Sequence, residues 1–138
     1  MKFQIVTPEK TVSSEDVEQV SLPTTEGEIT ILPNHIPLVS IIKAGELRYI
    51  KNGEVFALAV SGGFVEVRED GSIVVLADTA EHAMEIDIAR AEEAKERASK
   101  LMLEARHKEH VSFESIETAL EKELTRIRVG NKYRKIKS

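Results

Sequence analysis

The sequence contains no cysteine. That removes a disulfide framework, thiol catalysis and thiolate-ligated zinc from consideration, and it suits a reducing compartment. No apolar run approaches the roughly 18–20 residues of a membrane span. The opening MKFQIVTPEK has no apolar h-region, so export is not expected. Tryptophan is absent and aromatic residues make up only 4% of the 138. Glycine and proline are missing from one half: all four prolines lie at or before Pro37, six of the seven glycines at or before Gly71, and none of either between residues 72 and 129. The chain therefore changes grammar near residue 80, from segments punctuated by turns to an uninterrupted helical composition.

What is present fits a soluble globular chain: 41% apolar and 31% charged residues, too hydrophobic for disorder. The net charge of −5 is unevenly spread. Residues 1–78 hold 6 basic and 12 acidic side chains, whereas residues 126–137 hold 6 basic and none acidic. A basic tail behind an acidic body points to an acidic partner, a protein surface or a nucleic acid, unless it is simply a frayed soluble end. For nucleic acid the tail is poorly equipped, because Tyr133 is its one stacking aromatic.

Short strands are expected in the first half. Asn52-Gly53 separates LRYI from VFALAV, and Asp70-Gly71 separates FVEV from SIVVLA. Both dipeptides suit type I′ hairpin turns, which need positive φ at two positions. Phe64, Glu66 and Arg68 alternate with Val65 and Val67, as in a strand with one wet face. VFALAV is apolar throughout, as a strand buried on both sides would be. The second half reads as two helices. Asp87 would cap the first, whose inward stripe is Ile88, Ala91, Ala94, Ala98, Met102 and Ala105. HKEHVS reads as a connection and Ser112 as the second cap. Phe113, Ile116, Leu120, Leu124 and Ile127 then form the second apolar stripe. The expected class is α+β: an antiparallel β-sandwich of about eight to ten strands over residues 1–86, followed by an antiparallel α-helical hairpin over residues 87–138. The alanine-rich first helix offers little apolar area, so the hairpin should dock weakly.

No catalytic constellation stands out. His35, between two prolines in LPNHIPL, lacks a nucleophile or an orienting partner. His82, His107 and His110 read as solvated loop histidines, without the spacing or acidic third ligand of a metal site. No Gly-rich phosphate loop is present, so a nucleotide bound here would be sensed and not hydrolysed. At 100° per residue, Asp87, Arg90 and Arg97 fall on neighbouring parts of one helix side. The plain reading is a capping aspartate paired with Arg90. The functional reading makes the two guanidinium groups forked donors for phosphates.

The stretch EGEITILPNHIPLVSIIKAGEL, residues 26–47, resembles the ε subunit of bacterial F-type ATP synthase. VSGGFVEV at residues 60–67, VLADTAE at 75–81 and IDIARA at 86–91 follow in register, so the resemblance covers nearly the whole chain. Thr30 departs from a glycine common in that family, which bears on a local loop conformation. The resemblance implies a non-catalytic rotor subunit, peripheral on the cytoplasmic face of the bacterial membrane. Its sandwich would meet the γ subunit and the c-ring, with Glu28 and His35 in the contacting loop. Its hairpin would fold against the sandwich or extend toward the catalytic β (and α) subunits and block ATP hydrolysis. Arg126 and Arg128 would then meet an acidic surface there. IDIARA resembles the family's ATP-binding motif, which assigns Arg90 and Arg97 to the phosphates, Glu81 and Asp87 to the adenine amino group, and Ile86 with Ala91 to the base. ATP would be a regulatory ligand, and no cofactor is required. The alternatives are the same coupling subunit without nucleotide sensing, and a nucleic-acid-binding module using the basic tail.

Overall fold

A computed structural model of the chain describes residues 1–105 and 113–137, the last three of these as backbone only. Eight strands occupy the first part: β1 Lys2–Val6, β2 Thr11–Asp16, β3 Gln19–Thr24, β4 Gly27–Ile31, β5 Leu38–Ile42, β6 Gly45–Lys51, β7 Glu54–Val67 and β8 Ile73–His82. A 3-10 turn, Ala83–Glu85, leads into helix α1, Ile88–Ala105, and helix α2 runs Phe113–Lys137. The hydrogen-bonded order is β2-β1-β8-β7-β5-β3-β4, with β6 bridging β3 and β7, so the layers fold onto each other as a β-sandwich.

Period-two patterning builds the core. Phe3 and Ile5 of β1, Val20 and Leu22 of β3, Leu58 and Val60 of β7, and Val65 and Val75 further along all lie within the sandwich. Each such side chain contributes about 1.5–3 kcal/mol by burial. Tyr49 links Phe3 and Phe56, with ring centroids 5.3 and 5.2 Å away. The reading of VFALAV as covered on both sides holds for residues 57–60, though Val55 is 52% exposed: Leu58 and Val60 face this core, while Ala57 and Ala59 face a second, smaller cluster beneath α2.

β7 carries the architecture. Its first half pairs with β6, its second with β5, and β8 runs alongside both. The change of partner falls at Gly62 and Gly63, with φ of 53° and 143°. A Cβ on Gly63 would stand 2.0 Å from the Leu76 carbonyl oxygen, so only glycine fits.

Several expectations need correction. All strand pairs are antiparallel except β1 with β8, which is parallel. Asn52-Gly53 forms the predicted tight turn, φ 52° and 77°, closed by the Lys51–Glu54 pair. Asp70-Gly71 does not: residues 68–72 make a longer loop in which only Gly71 has positive φ. There Asp70 acts through its carboxylate, accepting from the Ser72 N–H at 2.9 Å and hydroxyl at 2.6 Å. Thr30 lies in β4, not a loop, and its hydroxyl meets that of Ser21 at 2.9 Å. His82 ends β8 and is not a loop residue.

Asp87 caps α1 as expected, accepting the Arg90 N–H at 3.1 Å. The α1 stripe is also as read, with Ala91, Ala98 and Ala105 buried. The α2 stripe is only partly so: Ile116, Leu120 and Ile127 are half-buried, but the other two are not. Phe113 and Leu124 stay 41% and 42% exposed, while Glu123, Thr125 and Val129 are buried. The helix has turned a more polar side to the sandwich. Gly130 makes this possible, because a Cβ there would meet Ile88 at 3.0 Å and Ile86 at 3.3 Å. The connection at residues 106–111, with His107 and His110, and the proposed cap Ser112 lie outside the described residues.

Candidate functional site

The junction of α2 with the sandwich is where the chain's charged residues converge. Ala57 and Ala59 of β7, Ala83 and Ile86 before α1, and Val129 of α2 make a small apolar cluster, edged by Ile88 and Tyr133. Around it the contacts are ionic. Arg126 reaches from α2 to Glu81 on β8 with its Nε 2.8 Å from one carboxylate oxygen and Nη2 3.3 Å from the other. Its Nη1 donates to Glu123 on its own helix at 2.7 Å. Burial disfavours the Arg126 charge, but Glu81 and Glu123 outweigh it and hold the guanidinium more firmly protonated than usual.

A second ionic group lies beyond the apolar cluster. Glu46 of β6 accepts from Lys132 of α2 at 2.9 and 3.2 Å and from the Tyr133 hydroxyl. Burial disfavours the Glu46 charge, yet those donors hold its carboxyl below the usual range. Burial and the facing Glu46 push the Tyr133 hydroxyl up to about 12. Arg48 on the same strand holds Glu46 at 3.4 Å and also pairs with Glu28. Arg134 closes the far end by donating to the Ile86 carbonyl. Glu123, Arg126, Gly130 and Tyr133 recur at steps of three and four, so one side of α2 presents them all.

The basic tail is thus a helical segment whose acidic partners include the chain's own Glu46, Glu81 and Glu123. Of the residues expected at an acidic partner surface, Arg126 is engaged in this way. Arg128 is exposed and lines a cleft between α2 and the sandwich with Lys43, Glu28 and Glu121.

The six residues assigned to ATP are only partly gathered. Asp87 and Arg90 are neighbours, their side chains 3.7 Å apart, with Arg90 83% exposed. Arg97 is exposed two turns further along α1. Glu81 stands with its carboxylate on Arg126. Ile86 and Ala91, expected to line a base, are fully buried. Ile86 packs in the cluster beneath α2, so in this arrangement neither offers surface to a ligand. Glu28 and His35 also separate: Glu28 lies in β4, and only His35 occupies the loop beyond that strand's other end. There Nδ1 of His35 lies 2.7 Å from the Ile36 carbonyl oxygen. Among the described residues no group of three or more histidine, aspartate or glutamate side chains could hold a metal ion. No described helix is long and apolar enough to cross a membrane.

One further surface is apolar. Ile41 of β5, Phe64 of β7 and Leu76 of β8 are register partners across three strands, and each is more than half exposed. Val39 and Ile36, toward the His35 loop, extend the row. Sequence reading missed this row and missed Glu46, Glu123, Lys132 and Tyr133. The available signals were Gly130 inside a predicted helix and the three-and-four spacing around it.

The model described as the ATP synthase delta/epsilon chain beta-sandwich domain matches residues 1–83, and that of the long alpha-helix domain matches residues 84–131. A protein of Dehalococcoides mccartyi, named ATP synthase epsilon chain, is 47% identical over 135 residues, 98% of this chain and 95% of its own. Those of Desulforamulus reducens and Halalkalibacterium halodurans, of the same name, are 47% and 44% identical over 129 and 132 residues, covering 94% and 96% of this chain and 96% and 98% of theirs. Among solved structures, a chain of the Euglena gracilis mitochondrial ATP synthase (OSCP/F1/c-ring) superposes with a TM-score of 0.71 at 24% identity. That match covers 86% of this chain and 74% of the other. A chain of the Tetrahymena thermophila mitochondrial ATP synthase central stalk and c-ring gives 0.59 at 16% identity, covering 96% and 95%. At those identities the structures speak to the fold alone.

Proposed function

The chain belongs to the ATP synthase delta/epsilon chain family, and from that premise we propose that it is a central-stalk coupling subunit whose helical hairpin is a releasable inhibitor of ATP hydrolysis. The sandwich docks on the γ subunit and the c-ring. The exposed row Ile41, Phe64 and Leu76 supports a protein contact on that face, because large apolar side chains in register are costly to leave in water. His35 and Ile36 supply the loop that meets the ring.

The observation that carries the inhibitory reading is how α2 is held. Its sandwich contact combines a small, alanine-rich apolar cluster with ion pairs through Arg126, Lys132 and Tyr133. Ion pairs can be exchanged for other carboxylates at little net cost, whereas a deep apolar interface cannot. An acidic surface on the catalytic β and α subunits would take over Arg126 and Arg128 once the hairpin extends. The absence of cysteine offers a direct test. With Ala59→Cys and Val129→Cys joined by a disulfide, α2 is pinned down and the assembled enzyme hydrolyses ATP without inhibition. Reduction restores inhibition. Equal inhibition in both states would refute the reading.

ATP acts in this scheme as a ligand of the folded-down form. Arg90 and Arg97 take the phosphates, and Glu81 and Asp87 take the adenine amino group. Ile86, packed in the cluster beneath α2, and the buried Ala91 fix the start of α1, which carries Arg90 and Arg97 behind its cap Asp87. Differential affinity for the two hairpin positions follows from that dependence. The pairing of Glu81 with Arg126 favours a second reading, a coupling subunit that does not sense nucleotide. Calorimetric titration with ATP and GTP decides between them: saturable ATP binding that Arg90→Ala abolishes supports sensing, and no heat at millimolar ATP supports the second reading.

A further inference from the structure

Glu28, Arg48, Glu46, Lys132 and Tyr133 form one unbroken chain of polar contacts from β4, through β6, to α2. Arg48 divides its two terminal nitrogens between Glu28 and Glu46. Glu46 in turn serves both bodies: one oxygen faces Arg48 and Lys132, the other Tyr133 and Lys132. A carboxylate offers about four acceptor positions, and those of Glu46 are taken. We propose that Glu46 couples the docking of α2 to the occupancy of Glu28, so that a cationic or hydrogen-bond-donating group of a neighbouring chain on Glu28 favours release of the hairpin.

The direction follows from the charges. Once an outside donor claims Glu28, Arg48 loses a partner and its 3.4 Å contact with Glu46 becomes its main one. A guanidinium favours both oxygens of a carboxylate in a fork, which are the oxygens that Lys132 and Tyr133 use. Neutralising Glu28 also leaves Arg48 and Lys132, two cations, facing one remaining anion. Both effects weaken the hold on α2. Linkage makes the coupling reciprocal: a released helix frees Glu46 for Arg48 and thereby frees Glu28 for the neighbour. Contact at Glu28, which lines the cleft between the sandwich and α2, and the state of the hairpin thus become two readings of one network. This rests on two readings given above: that Glu28 meets a partner chain, as the family resemblance implies, and that the hairpin moves.

The test uses the isolated full-length chain and Glu28→Gln as the neutralised state, with amide exchange as the readout. Glu28 is half exposed, and surface substitutions of this kind leave the fold intact. Exchange of residues 126–134 should rise by about 2- to 5-fold, the range for partly exposed ion pairs, with β7 core amides unmoved. The rise should vanish in an Arg48→Met background, because the relay runs through that guanidinium. Unchanged exchange on Glu28→Gln, or an undiminished rise without Arg48, would overturn the proposal. Since no other subunit takes part, this outcome is separate from the pinned-hairpin test of inhibition.

Discussion

Removing the Arg126 guanidinium should open α2 without unfolding the sandwich. Arg126→Met keeps the stem and deletes the charge, leaving two carboxylates without their main donor. Breaking a fully buried pair costs about 3–5 kcal/mol, and an exposed pair is worth about 0–1 kcal/mol. Here Glu123 is 6% exposed, Arg126 19% and Glu81 31%, so the site lies between those limits. We expect a loss of about 1–2 kcal/mol in docking, or a factor of about 5–30 in the opening constant. The loss falls on α2 because its cluster beneath the helix is separate from the main core. Amide exchange over residues 120–130 is the assay, with β7 amides as the internal standard. Adding Glu123→Gln should return part of the loss by removing the stranded buried charge. The reasoning fails if exchange stays within twofold of the parent chain, or if β7 and α2 amides accelerate together.

Three further outcomes follow from the geometry. Gly63→Ala places a methyl group 2.0 Å from the Leu76 carbonyl oxygen at a φ of 143°. It should cost at least about 3 kcal/mol and lower Tm by roughly 10 °C, measured by thermal unfolding. Asp87→Ala removes the α1 cap and should cost about 1 kcal/mol, seen as faster exchange in the first turn of the helix. Tyr133 is raised to about 12, so its neutral form is favoured by docking. That contribution is complete below pH 10 and is lost as pH climbs to about 12. Fluorescence transfer between α2 and the sandwich should fall across this interval, and Tyr133→Phe should lack the step.

Much of the fold was legible wherever local chemistry and global packing agree. Asn52-Gly53 demands its turn, Val65 and Val67 demand an inside, and the apolar stretch around Leu58 demands cover on both faces. The α1 stripe was readable for the same reason. Helix α2 was misread because its apolar period and its docking surface lie on different sides. Hydrophobic periodicity points to Leu120 and Leu124, while Gly130 admits the backbone near Ile86 and Ile88 and turns Glu123, Arg126 and Tyr133 inward. Parallel pairing of β1 with β8 is likewise invisible to any local pattern, since it depends on how the chain's ends meet. Asp87 and Arg90 were placed correctly as neighbours. Glu81 was expected to accept from an adenine amino group, whereas in the fold its carboxylate meets a basic group 45 residues away.

The mismatch on α2 has a physical consequence. A helix designed only to stay put would bury its apolar stripe, at about 25 cal/mol per Å². Here Phe113 and Leu124 keep about two-fifths of their surface in water while charged groups are drawn inward, which costs desolvation that the ion pairs only offset. Docking energy is therefore modest by construction. A hairpin held by several kcal/mol of apolar burial would need a partner with an affinity ratio of about 10⁴ to pass from folded to extended. On the proposed reading, one held by exchangeable carboxylates passes with far less, because other acids replace Glu46 and Glu81 as partners of α2 and the exposed Leu124 gains cover. On that reading, the apolar side chains left exposed on α2, which hid the docking side from sequence periodicity, also keep the two proposed positions of the hairpin close in free energy.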